Sequence, residues 1–376
     1  FRTSQVEAAF RAVPRHLFLS PLDLEAAYEP RVVVTKRAED GTAISSASHP
    51  NLVASMLEQL DIQPGHRVLE IGSATGVNAA LLAELAGPTG TVVSIEIDDD
   101  LAAVARAGLA AAGYHQVEVI CADGADGFPA GAPYDRIIVT AGAWDIASAW
   151  WQQLVVGGRI VVPLRLHGSG LTRSIAFDLQ QPGRMVSSSA QVCGFVPMRG
   201  ATAHAGCSLQ LADDVAVHLD AADLEDETAL GQALSYPAHE HWTGVTIGDS
   251  EPVEHLDLWL ATTSGRFARL SVGAAARESA LVNPALRWTG AALYDGGNLA
   301  YLVLRPHSSE STELGLIAHG PASDKFAAQT ADLLHRWNHD RPTQPVITAH
   351  PADTPDDQFS AGTRIDRPNT RLTIAW

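Results

Sequence analysis

The stretch Val68-Leu69-Glu70-Ile71-Gly72-Ser73-Ala74-Thr75-Gly76 decides the reading of this chain. An apolar run of this kind reads as a buried strand, and it breaks into a turn bounded by glycines that opens a helix rich in Ala and Leu. The next strand-like run, Thr91 to Glu96, closes on a carboxylate. Glycines let the backbone approach a ligand, and an acid at the end of the second strand can accept hydrogen bonds from both hydroxyls of a ribose. A dinucleotide fingerprint needs G-x-G-x-x-G, so that the backbone closes on a pyrophosphate at the helix N-terminus. Here Ala74 stands at the middle glycine and no third glycine follows at the required offset. The spacing E-x-G-x-x-x-G followed by an acid therefore points to a nucleoside ligand without phosphate, S-adenosyl-L-methionine. An ordinary strand-to-helix turn would use the same glycines, so the rest of the chain has to decide.

Val117 to Cys121 is a short apolar run ending in Ala122-Asp123-Gly124, and Arg136 to Thr140 and Arg159 to Val162 repeat the strand pattern. Strands alternating with helical or turn-rich stretches predict a parallel sheet covered on both faces, with its ligand at the C-terminal strand ends. Glu70, Glu96 and Asp123 then fall near one edge. Asp123 would either accept from an adenine amino group or cap the turn before Gly124. The cofactor shell expected from this frame is Glu70, Gly72, Ser73, Gly76, Glu96, Ile97, Asp123 and Gly124.

The chain resembles the protein-L-isoaspartate O-methyltransferases. The resemblance runs from Val6-Glu7-Ala8-Ala9-Phe10-Arg11-Ala12-Val13-Pro14-Arg15-His16-Leu17-Phe18 and Ala27-Tyr28 through Ile44-Ser45-Ser46-Ala47-Ser48-His49-Pro50. It continues over Val68 to Gly76, Ala122-Asp123-Gly124, Ala132 to Thr140, Gln153-Leu154 with Gly157-Gly158-Arg159, and Gly194-Phe195-Val196-Pro197-Met198-Arg199-Gly200. It implies a Rossmann-like α/β S-adenosylmethionine-dependent methyltransferase fold with S-adenosyl-L-homocysteine as product. In that family the serine of an S-x-P motif lies by the transferred methyl group and the substrate carboxylate. The matching residue is Ser48, and Ser46 and Ala47 of the same loop would touch the cofactor.

Two departures shape the functional expectation. Repair enzymes of the family usually finish near the position of Gly200, whereas this chain continues for another 176 residues, and its loop reads Ser-Ser-Ala-Ser-His-Pro where Thr-Ile-Ser is commoner. Both resemble the FxLD-type methyltransferases encoded with lanthipeptides, as does the ending from Arg364 to Leu372 with Trp376. That likeness implies methylation of an aspartate side chain in a cyclised precursor peptide, with the ester collapsing through succinimide to isoaspartate. The alternatives are repair of L-isoaspartyl residues in damaged proteins and a cofactor-binding scaffold without activity.

Composition bounds the remaining classes. With 376 residues, 46% hydrophobic and 18% charged, the chain has room for two folded domains, expected at 1–205 for catalysis and 206–376 as an α+β domain for peptide recognition. A formal net charge of −18 argues against tight nucleic-acid binding, which uses a basic face. No apolar stretch reaches the roughly 18 residues of a membrane span. Phe1-Arg2-Thr3-Ser4-Gln5 lacks the basic and apolar regions of a secretory leader, and the missing Met suits a trimmed chain. Cys121, Cys193 and Cys207 form no C-x-x-C pair and no even framework, so a reducing compartment, the cytoplasm, is expected.

His239-Glu240-His241 lacks a third ligand in range, so no metal is assigned. The acids between Asp213 and Glu227 read as a solvated helix face, with docking of a basic peptide as the second reading. Thr172 to Leu179 and Ser187 to Val196 read as antiparallel strands around Gln181-Pro182-Gly183. Beyond residue 212, Val215 to Leu219, Leu256 to Ala261, Leu270 to Val272, Leu299 to Leu304 and Leu314 to Ala318 read as strands. Ser323 to Asn338 reads as a helix, and the Pro-rich run from Arg341 to Asp357 as a loop or linker. Trp242, Trp259, Trp288 and Trp337 are assigned to core.

Overall fold

A computed structural model describes residues 1–20, 22–279, 281–285 and 289–376; Trp288 lies outside them. The chain divides into two compact units. One comprises Phe1–Arg165, Thr172–His204 and Val346–Ala375, and the other Leu166–Leu171, Ala205–Pro345 and Trp376.

The first unit is built on a ten-stranded sheet. Its parallel half runs in the order Leu154–Arg165, Tyr134–Val139, Arg67–Ile71, Thr91–Glu96, Glu118–Cys121. Val68, Leu69, Glu70 and Ile71 are all buried, as a strand covered on both faces requires. The helix Val77–Ala86 after it is apolar nearly all round, with Val77, Ala79 to Ala83, Leu85 and Ala86 buried, so it sits inside the unit rather than on its surface. The helix Pro50–Leu60 takes Pro50 in its first turn, where no N–H is needed, and His49 Nδ1 caps it by accepting from the Asn51 N–H.

The antiparallel half continues through Thr172–Gln181 and Arg184–Val192. It then takes in Val346–Pro351, Thr370–Ala375 and Thr363–Asp366 from the far end of the chain. This corrects two expectations. The segment 346–375 belongs to the first unit, so the second is not a continuous 206–376 domain, and the Pro-rich run contains a strand. Its Val-Ile-Thr-Ala core pairs at Thr348 with Val186 and at Ala349 with Met185, and the prolines flank or end the paired residues, where a missing N–H costs least.

The second unit holds a seven-stranded antiparallel sheet in the order Cys207–Ala212, Val215–Leu219, Phe267–Val272, Thr289–Asp295, Asn298–Pro306, Ser311–His319, His239–Gly248. The helix Ser323–Asp340 lies against the last three of these strands, burying Phe326, Ala327, Thr330, Ala331, Leu334 and Trp337 at helical spacing. Trp337 and Trp259 are core residues, whereas Trp242 is half-buried under the Arg305 guanidinium. Leu256–Ser264 is a helix, not a strand. Its leucines alternate, but a short apolar run buried on most sides carries no usable period, and Gly265 ends it in the left-handed region.

The acids from 213 to 227 do not form one helix face either. They flank the strand Val215–Leu219, and their carboxylates cap backbone: Asp214 accepts from the Ala275 N–H, Asp220 from Ala222 and Asp226 from Ala229. His239 and His241 lie on a strand, and among the described residues no group of three ligands could hold a metal. Among them no helix is long and apolar enough to cross a membrane.

The returning segment is fastened at Asp145. Its buried carboxylate accepts from the Asn369 N–H at 2.6 Å, from Asn369 Nδ2 at 3.0 Å and from the Ile146 N–H at 2.8 Å, and Thr370 Oγ1 donates to the Ile146 carbonyl at 3.0 Å. Asp145→Ala strands buried donors on both segments. It is expected to cost roughly 3 kcal/mol, read as a lower urea midpoint; an unchanged midpoint would show that the clamp carries no stability.

Candidate functional site

A cleft of about 120 Å³, open to solvent, lies at the C-terminal ends of the parallel strands, where open α/β sheets bind their ligands. Ser46, Ala47, Ser48, Gly72, Ser73, Glu96, Ile97 and Gly124 line it. They come from four stretches that read separately in sequence: the end of the strand Ala43–Ala47, the turn after Arg67–Ile71, the end of Thr91–Glu96 and the turn after Glu118–Cys121. Glu70, Gly76 and Asp123 do not line it.

The glycine turn is held to one shape. Gly72 adopts φ 101° and a Cβ there would meet Thr140 Oγ1 at 2.6 Å; Gly76 adopts φ 88° and packs on the backbone of Ala105. Thr140 Oγ1 donates to the Gly72 carbonyl at 2.6 Å, while the Gly72 N–H reaches the Ile95 carbonyl at 2.7 Å. Ala74 is also left-handed, at φ 45°, a conformation costing an L-residue of order 1–3 kcal/mol. It is compensated by its N–H, which Glu96 Oε2 accepts at 2.8 Å. Glu96 Oε1 accepts from the Asp98 N–H at 3.2 Å. Each of its oxygens thus keeps one lone pair for a ligand hydroxyl.

Glu70 lies fully buried behind this turn. Asn78 Nδ2 donates to it at 2.7 Å and Ser94 Oγ donates to its other oxygen, with Ser73 hydrogen-bonded in turn to Ser94. Burial pushes its carboxyl up to about 7, against the downward pull of those two donors. Its place is beneath the ligand surface, holding Asn78 and the turn. Asp123 caps the turn at Gly124: it accepts from the Ala125 N–H at 2.9 Å and the Ala201 N–H at 2.8 Å. The capping reading of Asp123 is therefore the observed geometry, with both oxygens engaged by backbone.

Several cleft residues escape a reading based on sequence. Thr140 and Asn78 carry no motif of their own, though Thr140 stands at a strand's C-terminal end. Arg199 lines the cleft and donates to Asp98 at 2.6 Å, with Lys36 Nζ 3.3 Å from the same carboxylate. The hydrogen bond from Arg199 holds the Asp98 carboxyl below its ordinary range. Ser48 stands between the strand Ala43–Ala47 and the helix Pro50–Leu60. The first helical N–H groups are spent on His49, Asn51 on its ring and Leu52 and Val53 on its carbonyl, and Ser48 lines the cleft beside Ser46 and Ala47.

This sheet order, with a glycine turn and a strand-end carboxylate facing one cleft, defines an S-adenosylmethionine-dependent methyltransferase of Rossmann-like fold. The family model described as protein-L-isoaspartate(D-aspartate) O-methyltransferase (PCMT) matches residues 1–203, and the chain belongs to that family. A protein-L-isoaspartate O-methyltransferase of Methanopyrus kandleri is 42% identical over 201 residues, spanning 53% of this chain and 85% of the relative. One of Thermotoga maritima is 35% identical over 181 residues, 48% of this chain and 56% of the relative. A solved structure titled protein-L-isoaspartate O-methyltransferase superposes with a TM-score of 0.52 at 21% identity and covers 92% of each chain; it shares the fold. The protein is a carboxyl O-methyltransferase that uses S-adenosyl-L-methionine. The residues suit that cofactor: Gly72 and Ser73 bring the glycine turn to the cleft wall, and Glu96, beside them, offers an acceptor lone pair on each oxygen.

Two outcomes follow from these carboxylates. Glu96→Ala removes the acceptors and the restraint on Ala74, and should weaken S-adenosylhomocysteine binding about tenfold or more by calorimetry; unaltered affinity in a folded variant would exclude Glu96 as a ligand. Glu70 acts through pH. Its folded-state pKa lies above the ordinary 4.5, so the native state keeps a proton that the unfolded chain releases. Stability then falls as pH rises from about 4.5 to about 7, by on the order of 3 kcal/mol. Glu70→Gln, whose amide can donate to Ser94, should be more stable than the parent at pH 8 and lose that advantage at pH 5. Equal urea midpoints at both would contradict the shift.

Proposed function

We propose that this protein methylates a carboxylate on a peptide or protein, with the L-isoaspartyl side chain as the favoured acceptor. The observation that carries the reading is the meeting of Ser48 with Gly72 and Glu96 on one cleft. It is supported by relatives named for isoaspartate methylation that match over the segment containing all of these residues.

The chemistry needs little from the protein beyond placement. A carboxylate with a reference pKa of about 4 is ionised at neutral pH, so it attacks without a general base. The cofactor, when bound, supplies an electrophilic methyl group on sulfur. Ser48 Oγ would donate to one carboxylate oxygen and aim the other, and the apolar wall from Val196 to Met198 would exclude water. Glu96 would fix the ribose, with Gly72 and Ser73 setting how deeply it sits. In the ester, attack by the next backbone nitrogen on the carbonyl carbon expels methanol and closes a succinimide, a step that requires no further group from the protein.

A second reading keeps the same transfer but takes an ordinary aspartate in a lanthipeptide-type precursor. The loop Ser46-Ala47-Ser48 favours it, being smaller and more polar than the Thr-Ile-Ser lead-in commoner in the family. The added unit, proposed to recognise peptide, does not separate the readings, because a structure titled as an isoaspartate methyltransferase covers nearly the whole chain.

Offering the enzyme an isoaspartyl peptide beside the same sequence with aspartate in a constrained ring decides between them. Mass gain of one methyl group on the isoaspartyl peptide, lost by at least a hundredfold in Ser48→Ala with S-adenosylhomocysteine affinity retained, is the expected result. Methylation of the aspartate ring alone would establish the second reading, and full turnover in Ser48→Ala would remove Ser48 from the mechanism.

A further inference from the structure

Three walls of the cleft meet at one carboxylate that the chemistry above does not use. Asp98 follows Ile97, which lines the cleft just beyond the strand Thr91–Glu96. Its Oδ2 accepts from Arg199 Nη2 at 2.6 Å, and its Oδ1 lies 3.3 Å from Lys36 Nζ. Arg199 belongs to the lining segment 195–199. Lys36 stands opposite Ser45 in the hairpin of Val33–Arg37 and Ala43–Ala47, whose second strand brings residues 44–47 to the cleft. Each oxygen of Asp98 therefore holds a cation from a different wall.

The two cationic walls are fixed differently. The segment 195–201 is tied to the rest of its unit by backbone groups: the Gly142 N–H donates to the Val196 carbonyl at 2.8 Å, the Met198 N–H to the Gly142 carbonyl at 2.9 Å, and the Ala201 N–H to Asp123 at 2.8 Å. The hairpin packs at its root, where Val33 and Ala47 lie against Leu19, Leu22 and Ala27. Nearer its turn, among the described residues, the ion pairs that leave it are those of Lys36, to Asp98 and, at 3.5 Å, to Asp100. The Asp100 side chain is 86% exposed and that of Asp98 22%, so the Asp98 pair is the one partly shielded from solvent and salt. A flap packed at one end and held by charge towards the other opens by parting the charges. The cleft, at about 120 Å³, falls below the roughly 300–1,000 Å³ of sites that bury a drug-sized ligand, so its walls have to separate for a cofactor to pass.

We propose that Lys36 and Arg199, joined through Asp98, form an ion-pair strap that sets how fast S-adenosylmethionine enters the cleft and S-adenosylhomocysteine leaves it. This rests on the cleft as the cofactor's place. The strap is made of protein groups alone, so it opposes opening whether or not the cleft is filled. Breaking it speeds entry and release by the same factor and leaves the affinity nearly unchanged.

The test is surface plasmon resonance with the full chain immobilised and S-adenosylhomocysteine in the flow. In Asp98→Asn both rate constants should rise about tenfold at low ionic strength, with Kd within about threefold of the parent's. Lys36→Met keeps Asp98 on Arg199 but frees the hairpin, and should show the same pattern with the parent's urea midpoint, which separates the strap from a loss of folding. Raising salt from about 0.05 to about 0.5 M should speed both steps in the parent and change them little in Asp98→Asn. Unchanged rates in both variants, or a salt effect that persists in Asp98→Asn, overturn the proposal. So does faster release alone with affinity lost in proportion, since Asp98 would then serve the cofactor directly. A parent that binds no S-adenosylhomocysteine removes the cofactor cleft and the strap with it, whereas a binding parent whose variants keep its rates removes the strap alone.

Discussion

The structure of the site depends on how close one stretch of backbone can come to its neighbours at the end of the Arg67–Ile71 strand. Gly72 has Thr140 where a side chain would go, and Ala74 is kept left-handed by the Glu96 carboxylate. Because Glu96 both restrains the turn and lines the cleft, a change there alters the turn's conformation and the cleft wall together. The hydrogen bond between buried Glu70 and half-buried Asn78 sets the helix Val77–Ala86 behind it.

The electrostatics of the cleft follow from that layout. A sulfonium cofactor and a carboxylate substrate attract, and the site has to bind both without neutralising either reactant. Glu96 lines the cleft, and the buried Glu70 lies behind the glycine turn. Lys36 and Arg199 are held on Asp98, with Asp100 also 3.5 Å from Lys36 Nζ, which leaves the wall near Ile97 close to neutral. A hydroxyl, rather than a cation, faces the cleft at Ser48. A fixed positive charge at that point would stabilise the carboxylate as a reactant and slow its attack.

What could be read from sequence was the part written in local patterns. The parallel strands are continuous apolar runs, the turn has its glycines at fixed offsets, and Ser48 sits in a short motif. The residues that escaped are held by partners far off in the chain. Nothing around Val346 to Pro351 announces a pairing with Met185 and Val186, and a proline-rich context argues locally for a loop. Leu256–Ser264 alternates like a strand but is helical because burial on most sides erases the period. The acids near Asp214 looked like a solvated face since capping depends on where Ala275 arrives. Asp123 offered two roles from one position, and the approach of Ala201 determined which geometry is seen.

The interposed second unit has a consequence for biosynthesis. The strand Arg184–Val192 emerges from the ribosome long before Val346–Pro351, its partner on one side, and the entire seven-stranded unit is translated in between. During that interval the nascent chain carries an unpaired sheet edge beside a cofactor cleft whose residues have all been made. The last strands are the covering for that edge, and such late, non-local pairing is slow and leaves aggregation-prone surface exposed meanwhile. Premature termination in the second unit would therefore yield a chain holding every residue of the cleft without the strands that close its sheet. Cofactor bound to the early half, by favouring its folded state, would act as a chaperone until translation ends.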